Sequence, residues 1–265
     1  MSLAFFDRKR GKAKKSVSPE EQPVDITINT DYGCLQITDT TYGGEPVRML
    51  LVDGVQESAT YLEKDLRDDL VFQYTRRIAA LFGDYRFSPM KVLLIGGAGF
   101  SLPKYFISHY PEGCMDVVEL HGEMTEIAKR YFYLDDITEE YDARGKRLSI
   151  YRSDGLDFLK RLDKSRPGKY DLIINDAYIG NVLDRGLTSE KGVKLIHSAL
   201  SENGVYCLNI ITAMTGYLSM SGLLEKEIAS GYFRNVGLIQ SDPAREPSHR
   251  QNCLLLASDG ELPDI

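Results

Sequence analysis

Two periods divide the chain. Residues 24–54 alternate apolar and polar positions, as in Val24-Asp25-Ile26-Thr27-Ile28-Asn29 and Cys34-Leu35-Gln36-Ile37-Thr38-Asp39. Asp31-Tyr32-Gly33 and Tyr42-Gly43-Gly44-Glu45-Pro46 interrupt the alternation, and a third run from Val47 to Val52 ends at Asp53-Gly54. Short alternating runs between turn residues predict three antiparallel strands. Three strands seldom stand without cover. This sheet is therefore expected to lean on the rest of the chain or on another subunit.

From about residue 62 the period lengthens. Leu66, Leu70, Val71, Tyr74, Ile78 and Leu81 recur at spacings of three and four, which predicts a helix stopping near Gly83. Apolar strands are then expected at 91–95, 115–120, 148–152, 170–175 and 204–211, with two further candidates at 231–240 and 252–258. Helices are expected between them, the first capped by Ser101 with Pro103 in its opening turn. Strands alternating with helices predict a doubly wound, mostly parallel α/β sheet of seven strands, Rossmann-like, with the small antiparallel β region ahead of it. The expected organisation is a basic flexible arm at 1–23, a small β-sheet region at 24–62 and a nucleoside-binding α/β domain at 63–265.

Composition narrows the partners. No run approaches 18 apolar residues, so no membrane span is expected. The net charge is −7; residues 1–23 hold six basic and three acidic side chains, which leaves the body at −10. An acidic body argues against nucleic acid and for a small-molecule substrate, such as an amine. The basic run lacks a following apolar core, so it is not read as a secretory signal, and the cytoplasm is the expected location. None of the four cysteines has CxxC spacing and no two histidines stand at i, i+4, so no metal is expected. Cys114 and Cys207 read as buried thiols.

In a doubly wound sheet, ligands bind beyond the carboxyl ends of the strands. The first of these ends in Gly96-Gly97-Ala98-Gly99, a turn that lets backbone approach a ligand, yet neither a regular GxGxxG nor a P-loop. The second ends in Glu119-Leu120, with Glu119 placed 23 residues after Gly96, where an acid accepts from ribose hydroxyls. The third ends in Asp154-Gly155, read either as an adenine contact or as a helix N-cap. The fourth ends in Asp176, whose carboxylate is placed to orient an amine or accept its proton. A ribose acid without a phosphate loop points to S-adenosylmethionine or its relatives rather than NAD.

These residues together resemble the spermidine synthase family, which shares the fold of S-adenosylmethionine-dependent methyltransferases. The likeness covers about residues 50–212. The family's Leu-Asp-Gly and Arg-Asp-Glu are echoed in Val52-Asp53-Gly54 and Arg67-Asp68-Asp69, and its glycine loop in Ile95-Gly96-Gly97-Ala98-Gly99. Val118-Glu119, Ser153-Asp154-Gly155 and Tyr170-Asp171-Leu172-Ile173-Ile174-Asn175-Asp176 match its later strand ends. Phe100-Ser101-Leu102-Pro103 and Ser58-Ala59-Thr60-Tyr61-Leu62 bring the chain nearer to a bacterial spermidine synthase-like branch. The resemblance implies Asp176 as the catalytic residue and Asp53, Gln56 and Tyr178 as substrate contacts. It also implies S-adenosylmethionine or its decarboxylated form as co-substrate, and a homodimer.

Departures from the family gather on the acceptor side. Polyamine-forming members carry a second Asp three residues after the catalytic one; here Ile179 stands there, followed by Gly180-Asn181. Phe72-Gln73-Tyr74 replace a Tyr-His-Glu, and Gln56 follows Val55 directly where the family Gln comes two places after Val. Asp135, Asp136 and Asp184 are the carboxylates available to compensate. The expected activity is aminopropyl transfer to an amine. The alternatives are methyl transfer and a nucleoside-binding protein without turnover.

Overall fold

The computed structural model describes residues 23–84, 86–88, 90–162, 169–179 and 182–265. The basic arm up to residue 22 and Gly180-Asn181 lie outside the described residues.

The small N-terminal sheet has four strands where three are expected. It is an antiparallel meander of β1 (Asp25–Thr30), β2 (Gly33–Tyr42), β3 (Glu45–Val52) and β4 (Val55–Tyr61). The fourth strand escapes pattern reading because its buried positions are polar. Ser58 and Thr60 are buried beside Ala59. Ser58 Oγ lies 3.1 Å from Ser101 Oγ, and Thr60 Oγ1 accepts from Lys104 Nζ at 2.9 Å. The sheet leans on the same chain: Leu35, Ile37, Leu50 and Val52 pack with Met124, Ile127 and Phe132, while Val47, Met49 and Ala59 pack with Val71 and Phe72.

The expected long helix after residue 62 is shorter. A 3₁₀ turn at Lys64–Leu66 precedes α1 (Gln73–Ala79). Leu70 and Val71 are consecutive and buried, yet they enter different apolar clusters. The chain between the 3₁₀ turn and α1 is not helical at its end, with Phe72 extended at φ −82°, ψ 143°.

The main domain alternates strands and helices. Its elements are β5 (Lys91–Ile95), α2 (Ser101–His109), β6 (Cys114–Glu119), α3 (Gly122–Tyr131), α4 (Leu134–Tyr141), β7 (Leu148–Arg152), α5 (Gly155–Arg161) and β8 (Tyr170–Asn175). A hairpin of β9 (Tyr178–Ile179) and β10 (Val182–Leu183) follows. Then come α6 (Arg185–Thr188), α7 (Glu190–Ala199), β11 (Leu200–Thr212), α8 (Met220–Ser230), β12 (Asn235–Gln240) and β13 (Gln251–Ser258). The sheet has seven strands in the order β12-β13-β11-β8-β5-β6-β7, and β13 alone runs against the others. Its central strands are apolar throughout because helices cover both faces. Leu94, Val117, Ile174 and Cys207 face one apolar layer, and Leu93, Val118, Ile173 and Leu208 the other.

Chain order reverses between β8 and β5, which opens a crevice there. Two local corrections follow. Ser101 does not cap α2; Phe100 occupies that place at φ 56°, and Ser101 Oγ donates instead to the Ala59 carbonyl at 3.0 Å. Cys114 is half-buried rather than buried, whereas Cys207 is buried, and all four cysteines are free. The buried Lys104 on α2 donates to Thr60 Oγ1, the Arg67 carbonyl and the Phe132 carbonyl at 2.8–2.9 Å, which clamps the small sheet to the main domain. Burial lowers its pKa to about 7.

Candidate active site

A cavity of about 420 Å³ opens at the switch point, beyond the carboxyl ends of β5, β6, β7 and β8. The small sheet roofs it through Tyr32, Tyr42, Val55, Gln56 and Glu57. Among the described residues no group of three His, Cys, Asp or Glu side chains could hold a metal.

The β5 loop forms the floor. Gly96 sits at φ +96°, and a Cβ there would collide with the Asp176 carbonyl. Glycine alone satisfies both demands. Gly96 N–H donates to the Val118 carbonyl and Asp176 N–H to the Ile95 carbonyl, each at 2.9 Å, so the ends of β5, β6 and β8 are tied together. Gly97 and Gly99 do not line the cavity. Gly97 N–H donates to Glu119, and a Cβ on Gly99 would strike Ser58.

Glu119 closes β6 and is 6% exposed. Its Oε2 accepts from Gly97 N–H at 2.8 Å and Ala98 N–H at 3.2 Å, and its Oε1 accepts from His121 N–H at 2.9 Å. A carboxylate has about four acceptor positions. Three are taken by the protein's own backbone, so about one remains for a ligand. The burial of this acid is explained by those amides. Leu120, His121 and Met124 continue the wall, and Tyr32 stacks on His121 with ring centroids 3.8 Å apart.

At the end of β7, Asp154 lines the cavity and is also the N-cap of α5, its Oδ1 accepting from Asp157 N–H at 2.8 Å. Gly155 beside it leaves no room for a side chain against Ile95. Asp184 lines the cavity too, but its Oδ1 caps α6 through Gly186 N–H at 2.7 Å. Asp135 and Asp136 start α4 and do not line the cavity; Asp136 instead pairs with Arg67 at 3.7 Å. Asp53, expected as a substrate contact, is likewise outside the lining. Its Oδ1 accepts from Cys34 N–H at 2.8 Å and braces the turns of the small sheet.

Asp176 stands at the crevice centre. Its Oδ1 accepts from Asn209 Nδ2 at 2.7 Å and its Oδ2 from Tyr74 OH at 3.4 Å. Burial pushes its pKa up to about 6, against the pull of these two hydrogen bonds. Tyr178 lines the same wall, its OH donating to the Asn209 carbonyl at 3.2 Å.

The sequence reading missed Tyr74, Asn209 and Glu57. Tyr74 reads as part of a helical apolar face, and Asn209 lies within an apolar strand. A polar residue interrupting Leu208-Asn209-Ile210 is the signal that marks it. Glu57 lines the cavity, and burial together with Asp176 pushes its pKa up to about 7.

A doubly wound sheet with an acid-anchored glycine loop and a strand-end carboxylate at the switch point defines a class I methyltransferase-like fold. Within that class, the sequence model of the spermine/spermidine synthase domain matches residues 71–219, more than half of the chain, and the chain belongs to that family. A polyamine aminopropyltransferase of Vibrio vulnificus is 27% identical over 198 residues, spanning 74% of this chain and 58% of that protein. An eEF1A lysine and N-terminal methyltransferase of Bos taurus is 28% identical over 132 residues, spanning 47% of this chain and 18% of that protein. The crystal structure of a probable spermidine synthase from Corynebacterium glutamicum superposes with a TM-score of 0.74 at 22% identity, covering 91% of this chain and 82% of that one.

Proposed function

We propose that the chain is a transferase that takes decarboxylated S-adenosylmethionine as donor and passes its aminopropyl group to an amine. One observation carries this reading: the charge of the cavity wall. Glu57, Glu119, Asp154, Asp176, Asp184 and Asp242 line it, against Arg245 as the only Arg or Lys among the lining residues. Arg245 is itself exposed and 3.9 Å from Asp242. Such a wall favours a donor whose sulfonium and ammonium are both cationic, and disfavours the α-carboxylate of the intact nucleoside.

The residues divide the work. The remaining acceptor position of Glu119 takes a ribose hydroxyl, while Leu120, Asp154 and Gly155 border the base. Asp176 accepts a proton from the acceptor's ammonium, leaving a neutral amine. That nitrogen forms a bond to the methylene carbon next to sulfur; the carbon–sulfur bond breaks, and its electron pair neutralises the sulfonium to methylthioadenosine. Asn209 and Tyr74 hold the Asp176 carboxylate in line, so alignment supplies much of the rate.

Methyl transfer is the second reading, favoured by the stretch shared with the eEF1A methyltransferase. Calorimetry with intact and decarboxylated S-adenosylmethionine separates the two. Tenfold tighter binding of the decarboxylated form is expected, with methylthioadenosine released when an amine is added. Tighter binding of the intact form would replace aminopropyl transfer by methyl transfer.

A further inference from the structure

The pairing of β3 with β4 slips beside the cavity. Val47 faces Tyr61 and the register holds to Leu50 opposite Ser58; then Leu51 faces Gln56. Glu57 is the extra residue, without a counterpart on β3. A β-bulge re-aims side chains by breaking the alternation of a strand. Here Gln56 and Glu57, neighbours that a regular strand would send to opposite faces, both line the cavity. Glu57 stands two places after Val55, where the family Gln is expected, and the bulge turns it together with Gln56 toward the cavity.

Glu57 differs from the other carboxylates of the wall. Glu119 is held by backbone amides, Asp154 and Asp184 cap helices, and Asp242 lies beside Arg245. No hydrogen bond or ion pair to Glu57 occurs among the described residues, and the charge that acts on it is that of Asp176. Two half-buried carboxylates facing one space repel each other unless a cation lies between them. The lining residues that the β12–β13 segment contributes offer no second unpaired carboxylate: Ser241, Gln251 and Asn252 present hydroxyl and amide groups, and Asp242 lies 3.9 Å from Arg245.

We propose that Glu57 is a specificity-determining residue: with Asp176 it grips the acceptor's ammonium at the reacting end, so the acceptor is a primary amine that needs no second cation. This rests on the transferase reading above and assigns its acceptor class. Glu57 supplies from the small sheet the second carboxylate that Ile179 does not supply from the β8 end.

The test is calorimetry with 1,4-diaminobutane and 4-aminobutan-1-ol, each with and without methylthioadenosine present. In the wild type the two amines are expected to bind within about threefold of each other. Glu57→Gln is expected to weaken both at least tenfold and leave methylthioadenosine affinity unchanged, with Glu57→Asp recovering part of the loss. Amine binding to the wild type should weaken as pH falls through about 7, where Glu57 takes up its proton. In Glu57→Gln that limb should be gone, leaving the one near 6 that belongs to Asp176. Wild-type amine affinity in Glu57→Gln, or a tenfold preference for the diamine, would overturn the assignment. If methylthioadenosine fails to bind, the nucleoside reading falls, and the titrations run without it still decide the role of Glu57.

Discussion

The two halves of the cavity are built on opposite plans. On the side over β5, β6 and β7, the proposed nucleoside side, Glu119 accepts three backbone amides and Asp154 caps a helix. On the side over β8 and under the small sheet, the proposed acceptor side, Asp176 is held by side chains alone and Glu57 by nothing among the described residues. In the first half the carboxylates are thus held by backbone amides of the fold itself. The second half carries carboxyls pushed up to about 6 and about 7, a pair prepared to receive a cation and a proton.

This contrast can be broken from either side. The largest effect is expected from Asp176→Asn, which keeps the Tyr74 and Asn209 geometry but loses the proton acceptor. Turnover should fall by about 10²–10⁴-fold, with nucleoside affinity within severalfold of wild type, read by methylthioadenosine release and calorimetry. Retained turnover would remove Asp176 from catalysis. Gly96→Val attacks the shared floor, where φ is +96° and the Asp176 carbonyl blocks a Cβ. It should destabilise by more than about 2 kcal/mol in urea unfolding and weaken both halves together. An effect on one half only would show the floor to be divisible. Glu119→Ala is the smallest test. It should weaken nucleoside binding by about 1–3 kcal/mol without changing amine affinity; a loss of both would show that the halves are coupled through the glycine loop.

The same contrast governs what could be read in advance. Gly96, Glu119, Asp154 and Asp176 are legible because each closes a strand whose apolar run marks its own end, and strand ends face the ligand in this fold. Their roles were less legible than their places. Asp53 illustrates this, since it braces a turn outside the cavity, whereas the cap read for Asp154 as one of two roles is present. The strand β4 was not legible, because its buried Ser58 and Thr60 depend on Ser101 and Lys104, more than 40 residues away. Glu57 carried one signal, its place two residues after Val55 where the family Gln is expected, but its turn into the cavity depended on that strand and its bulge.

The sequence by itself determined the seven-stranded α/β sheet, the family and the strand ends that line the cavity, because local apolar period and strand-end residues specify them without distant partners. Only the tertiary structure decided that the small sheet roofs the site, that Asp135 and Asp136 lie outside its lining while Asp184 lines it as a helix cap, and that Glu57 and Asp176 line one cavity. These facts depend on a register slip of one residue and on contacts between segments far apart in the chain, and neither leaves a periodic mark in the order of the amino acids.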